Sequence, residues 1–249
     1  MSTPLADPAL AERTSTLSRL AHLAPMLALT FTTGVVDAVG YLGLDRVFTG
    51  NMTGNVVILG MALAGADNLP IAGPSLALAA FMVGAIVSGR VLRAAGTGWS
   101  RRTTTMFAVV ATLVALTGVL AAVDGHPAEP IALTITGGLA FAMGLQAAAA
   151  RHLSVADVTT VVVTSTITGL AADSWFGLRT GQRWPRRVLA IALIAAGAFA
   201  GALLLRVHLS AGLLTAAVLI TAATVFGHAV TARDARRLAA SEGAEAAGA

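Results

Sequence analysis

The chain has no cysteine and no lysine, one tyrosine and three tryptophans, and only 11% of its 249 residues are charged. The missing cysteines exclude disulfides, thiolate metal sites and cysteine nucleophiles. Soluble domains carry about 25% charged residues, so a globular cytoplasmic enzyme does not fit. All 16 basic residues are arginine, for a net charge of +4. They form no basic stripe interleaved with aromatics, so nucleic acid is not an expected partner and the excess reads as a record of membrane topology. There is no Walker motif, nucleophile elbow or zincin helix, and the five histidines lack metal-ligand spacing. An enzyme, an ATP-driven pump, a bound metal and a cofactor are therefore not expected.

What is present is apolar: 56% hydrophobic residues and a mean hydropathy of +0.81. Eight apolar segments can be drawn, at about 22–44, 47–66, 71–92, 104–123, 131–150, 155–173, 187–206 and 209–230. Runs of about twenty such residues suit a bilayer core about 30 Å thick. The first run is too long for a cleaved signal and is expected to remain as a span. The polar residues 1–21 and the Ala/Gly/Glu-rich residues 231–249 read as mobile tails around one membrane domain, 22–230.

Two of the segments are unusually polar. The second holds Thr49-Gly50-Asn51-Met52-Thr53-Gly54-Asn55 and the sixth holds Thr164-Ser165-Thr166-Ile167-Thr168-Gly169, after a Thr160/Thr164/Thr168 hydroxyl stripe. Polar groups at membrane depth must be satisfied inside the protein, so they mark a packed interface or a solute path. If residues 49–55 are helical, their Thr, Gly and Asn pairs stack at i,i+4 and serve as packing glue. If the helix breaks there, backbone amides and side chains are freed to line a solute site.

Arginine placement separates two topologies. Clusters at Arg90/Arg93/Arg101/Arg102, at Arg179/Arg183/Arg186/Arg187 and at Arg233/Arg236/Arg237 should share the cytoplasmic face. Eight full crossings would put the first two clusters on opposite faces. If the second and sixth segments enter and return, two crossings separate each pair. All three clusters and both termini are then cytoplasmic, with Asp124 and Glu129 outside. The expected fold is an all-α polytopic membrane protein built from halves of about 22–123 and 131–230. Each half has three crossing helices and one broken or re-entrant segment, and the odd number of crossings inverts the second half. Matches in common order support the repeat: Gly34 with Gly144, the Thr-x-x-x-Thr-Gly of 49–54 with that of 164–169, and Gly84/Ser88 with Gly197/Gly201. The last pairs have small-xxx-small spacing and read as packing, within the protomer or in a homodimer.

Asp37 stands inside the first span, where a carboxylate costs about 2.5–3.5 kcal/mol on insertion scales and needs an interior partner. It is the candidate proton-coupling residue, or else a packing group. Gln146 lies at a similar depth in the second half, while Asp157 and Asp173 flank the sixth segment as helix-end charges.

Around Gly34-x-x-Asp37-Ala38, Val47-Phe48-Thr49-Gly50-Asn51-Met52-Thr53-Gly54-Asn55 and Gly144-Leu145-Gln146, the sequence resembles the YoaK family of bacterial multi-pass inner-membrane proteins, over roughly residues 25–230. The family's pattern places Asn after the Gln, where this chain has Ala147. The resemblance implies a helical integral protein of the bacterial inner membrane, and no substrate. The resulting expectation is a small-solute secondary transporter or permease whose candidate solute contacts are Thr49, Asn51, Thr53, Asn55, Thr164, Thr166 and Thr168. Its partners would be the lipid bilayer, a small solute or ion and, at this size, a second copy. The alternative is a non-transporting scaffold or regulator whose polar motifs only join helices.

Overall fold

The computed structural model describes residues 8–96, 98–123, 128–153, 163–179 and 184–248, and among them all regular structure is α-helical. The elements are α1 (Pro8–Gly43), α2 (Met52–Leu63), α3 (Ala72–Leu92), α4 (Arg101–Val123), α5 (Glu129–Leu153), α6 (Val163–Ala172), α7 (Trp184–Leu205) and α8 (Leu209–Gly248). Asp124, Asp157, Thr160, Arg183 and the 155–162 part of the sixth segment lie outside the described residues.

Among the described residues six helices are long and apolar enough to cross a bilayer: Leu23–Gly43 of α1, Leu209–Arg237 of α8, and α3, α4, α5 and α7. At 1.5 Å per residue even α3, the shortest of the four complete ones, is about 31 Å long. By the same arithmetic α2, with 12 residues, reaches about 18 Å and cannot span the hydrocarbon. The described part of α6 is 10 residues. Helix also extends into both segments expected as mobile tails, since α1 starts at Pro8 and α8 runs to Gly248. The Ala, Glu and Arg that dominate the C-terminal stretch are strong helix formers.

Lipid is as apolar as leucine, so helices in a membrane associate through close contact, and small residues permit it. Helix α1 lies along α7 and α3 along α5, while α4 packs on α8, α1 on α8 and α4 on α5. Both of the first two pairs close on glycine. A Cβ on Gly34 would strike the Ile194 carbonyl of α7, and one on Gly197 would strike that of Phe31 on α1. In the other pair a Cβ on Gly84 would meet the Phe141 carbonyl of α5, and one on Gly144 that of Phe81 on α3. The small-residue faces are therefore used within the protomer. Ser88 is fully buried in the same contact region, whereas Met82, Leu116, Phe199 and Val218 are left exposed on the outside of the bundle.

Contacts near the helix ends sort them into two faces. Leu205 and Leu209 pack over Gly43, joining the end of α1 to the α7–α8 turn. At the other end Trp99, before α4, covers Gly227 of α8. There Thr104 pairs with His228 at 3.2 Å, and His152 at the end of α5 meets the Gly96 carbonyl at 3.2 Å. That second face carries Arg90, Arg93, Arg101, Arg102, Arg151, Arg233, Arg236 and Arg237, and the first carries Arg46 and Arg206.

Candidate solute site

The site is built by the chain reversing direction at the end of α1. Leu44 N–H still bonds the Gly40 carbonyl at 3.0 Å, and Arg46 N–H then bonds that of Tyr41 at 3.1 Å. Asp45 and Arg46 are both left-handed, at φ 56° and 58°, a conformation that L-residues adopt at a cost. The chain turns back along α1, passing so close that a Cβ on Gly40 would stand 2.8 Å from the Val47 carbonyl. Tyr41 and Phe48 stack across this turn with centroids 4.7 Å apart.

The returning strand reaches Asp37, six residues or about 9 Å before the end of α1. Its Oδ1 accepts the backbone N–H groups of Thr49 at 3.0 Å, Gly50 at 2.6 Å and Asn51 at 3.4 Å. Three successive amides at a helix N-terminus form an anion-binding concavity, and here the anion is a side chain of the same protein. Gly50 fits because only hydrogen occupies its Cα, with Asp37, Met143 and Thr33 all 3.3 Å from where a Cβ would be. Asn51 then caps α2, its side chain accepting from Gly54 N–H at 3.3 Å. Asn55 clamps the strand, accepting from Phe48 N–H at 2.9 Å and donating to the Phe48 carbonyl at 2.6 Å. Helix α2 runs outward again, and Arg46 holds the far turn through the Asn68 carbonyl at 3.1 Å. Residues 47–63 thus enter and return on the face where α1 ends.

Helix α6 belongs to the opposite face. Past its C-terminal end, Asp173 pairs with Arg187 of α7 at 2.7 Å, while its first residues, Val163 and Thr164, border the same cavity as Asp37. That cavity has a volume of about 540 Å³. Helix α1 contributes Thr33, Asp37 and Tyr41, the return strand Phe48, Gly50 and Asn51, α2 Thr53 and Gly54 among others, and α7 Ile194. Beside it, fully buried Gln146 of α5 donates to Thr33 Oγ1 at 3.1 Å; the Thr33 hydroxyl has given its hydrogen to the Leu29 carbonyl at 2.9 Å. The oxygen of the Gln146 amide is buried with no hydrogen-bond partner.

Of the expected site residues, the structure brings Asp37, Asn51, Thr53 and Thr164 to this cavity. It does not bring the other four to the wall. Thr49 is buried within the returning segment and Asn55 on α2, Thr166 is buried on α6, and Thr168 is exposed and not part of the cavity lining. Their hydroxyls and amide fell in the polar motif, but only one face of each half-helix can look inward. Thr33, Tyr41 and Phe48 were missed as cavity residues, and the one available signal was that the chain's single tyrosine stands four residues after Asp37.

A family model described as "Protein of unknown function (DUF1275)" matches residues 25–226. The UPF0700 transmembrane protein YoaK of Bacillus subtilis (strain 168) is 32% identical over 146 residues, which cover 58% of this chain and 64% of that protein. The aligned part therefore spans a little under two thirds of the relative's length. No solved structure matches.

Proposed function

We propose that this chain, which belongs to the DUF1275 family, is a small-solute secondary transporter or permease-like membrane protein. The observation that carries the reading is that α2 and α6 both line one cavity. They approach from opposite faces, and the first turn of α2 and the first described residues of α6 border it beside a carboxylate. Discontinuous helices whose N-terminal ends point into a mid-membrane site are the layout of many carriers. A site reached from each face by its own half-helix is suited to opening alternately to the two sides.

The reading includes two inverted halves, α1–α4 and α5–α8. Its support is pairing: α1 on α7 answers α5 on α3, and α1 on α8 answers α5 on α4. The glycine crossings follow the same rule, Gly34 with Gly144 and Gly84 with Gly197. Under the positive-inside rule the arginine-rich face is cytoplasmic, both termini with it, and the membrane is the bacterial inner membrane. Asn51, Thr53 and Thr164 contact the solute, and Asp37 exchanges a proton. No covalent chemistry and no cofactor enter this reading.

The scaffold reading has its own support, because Asn55 spends its amide on the Phe48 backbone. A thermal-shift screen of the purified full chain against ions and small metabolites separates the two. Transport predicts a ligand shift in wild type that disappears in folded Asp37→Asn and Thr164→Val. The absence of any shift across the screen favours the scaffold.

A further inference from the structure

The two oxygens of Asp37 stand in different surroundings. Oδ1 takes the N–H groups of Thr49, Gly50 and Asn51, and Oδ2 accepts none of them. The carboxylate borders the cavity, and no arginine or histidine is among the described residues that line it. On one side a charge at this depth is met by these amide dipoles. The cavity it borders is also lined by Thr33, Thr53 and Thr164 and by the stacked Tyr41 and Phe48.

We infer that the solute of this cavity is a small organic cation whose ammonium group pairs with Asp37 Oδ2 while its carbon substituents lie against the Tyr41 and Phe48 rings. The inference rests on the reading of the cavity as a solute site and supplies its chemical class. An anion would meet the carboxylate with no cation among the described lining residues to offset it, in a medium where like charges repel far more than in water. A neutral polyol would leave the carboxylate without a counter-charge. Protein calcium sites of high affinity draw on several carboxylates, and Asp37 is the one carboxylate among the described residues that line this cavity. A cavity of about 540 Å³ is in the range of sites for organic ligands rather than single ions. Ring faces attract cations, with larger effect when the cation is desolvated. Because one oxygen serves both the cation and the coupling proton, the two exclude each other, and the carrier exchanges one for the other.

The test is equilibrium binding of radiolabelled tetramethylammonium to the purified full chain in detergent, with methylammonium, acetate and glycerol as competitors at constant ionic strength. The expected result is saturable binding that methylammonium displaces and acetate and glycerol leave unchanged. Asp37→Asn retains an oxygen for the three amides and should weaken binding at least tenfold. Tyr41→Leu, which leaves the carboxylate in place, should weaken it several-fold. No saturable binding, displacement by acetate or glycerol, or undiminished binding in both variants overturns the inference. Proteoliposomes keep it apart from the transport reading. Probe binding without uptake refutes carriage and leaves the cation site standing. Uptake of glycerol or acetate without ammonium binding refutes the cation and leaves carriage standing.

Discussion

Asp37 Oδ1 accepts the Gly50 N–H at 2.6 Å, so a carboxylate on the first crossing helix holds the strand from which the first half-helix starts. Structure and chemistry are joined at this one group. Asp37→Ala leaves three backbone amides without their acceptor at membrane depth, where an orphaned buried group costs about 1–3 kcal/mol. Asp37→Ala should therefore lower the thermal midpoint in detergent, by about 2–4 kcal/mol of stability. Asp37→Asn should lose less than half as much. Equal melting of the two variants would show that the amides do not depend on this acceptor.

Asn55 makes a reciprocal pair with the Phe48 backbone. Asn55→Leu matches its volume roughly and supplies neither group, so the Phe48 N–H and carbonyl are both orphaned. The expected loss is about 2–4 kcal/mol in denaturation followed by Trp fluorescence. Thr168→Val, which changes an exposed hydroxyl, should stay within about 0.5 kcal/mol of wild type.

Gly144 and Gly89 provide an internal control for the helix crossings. A Cβ at Gly144 collides with the Phe81 backbone, whereas one at Gly89 of α3 meets nothing within 4 Å. Gly144→Ala should destabilise by about 1–3 kcal/mol through forced separation of α3 from α5. Gly89→Ala should be neutral or gain about 0.5–1 kcal/mol from helix propensity. Comparative melts decide it.

The absence of cysteine makes sidedness directly readable. With single cysteines at Gly96→Cys, Ala235→Cys and Asp67→Cys, an impermeant thiol reagent applied to oriented vesicles should label the first two from one side and the third from the other. Labelling of all three from one side contradicts the six-crossing arrangement.

Much of this architecture is legible in the sequence, for identifiable reasons. The six crossing helices show in their hydropathy, and the second segment reads as a break because Thr, Gly and Asn are costly as lipid-facing helix. The return turn is hidden, since Asp45 and Arg46 take left-handed φ without the glycine or asparagine that would announce it. Partners across helices are hidden too: nothing near Gly144 names Phe81, and nothing near Asp37 names Gly50. Asn55 shows the limit most clearly. Its polarity placed it among solute contacts, but its depth, 1% exposed, makes it a clamp on Phe48.

The most direct test of the central claim is whether water and solute reach the cavity that α2 and α6 both line. Thr53→Cys and Thr164→Cys should react with a small cationic methanethiosulfonate reagent, and Asp37→Asn should slow both. Val56→Cys, exposed on the same helix but not lining the cavity, should stay unreactive in lipid. Reaction at both threonine positions is the outcome predicted by a solute path. If both are as inert as Val56→Cys from either side of the membrane, the cavity is dry and closed to solute and the account is contradicted.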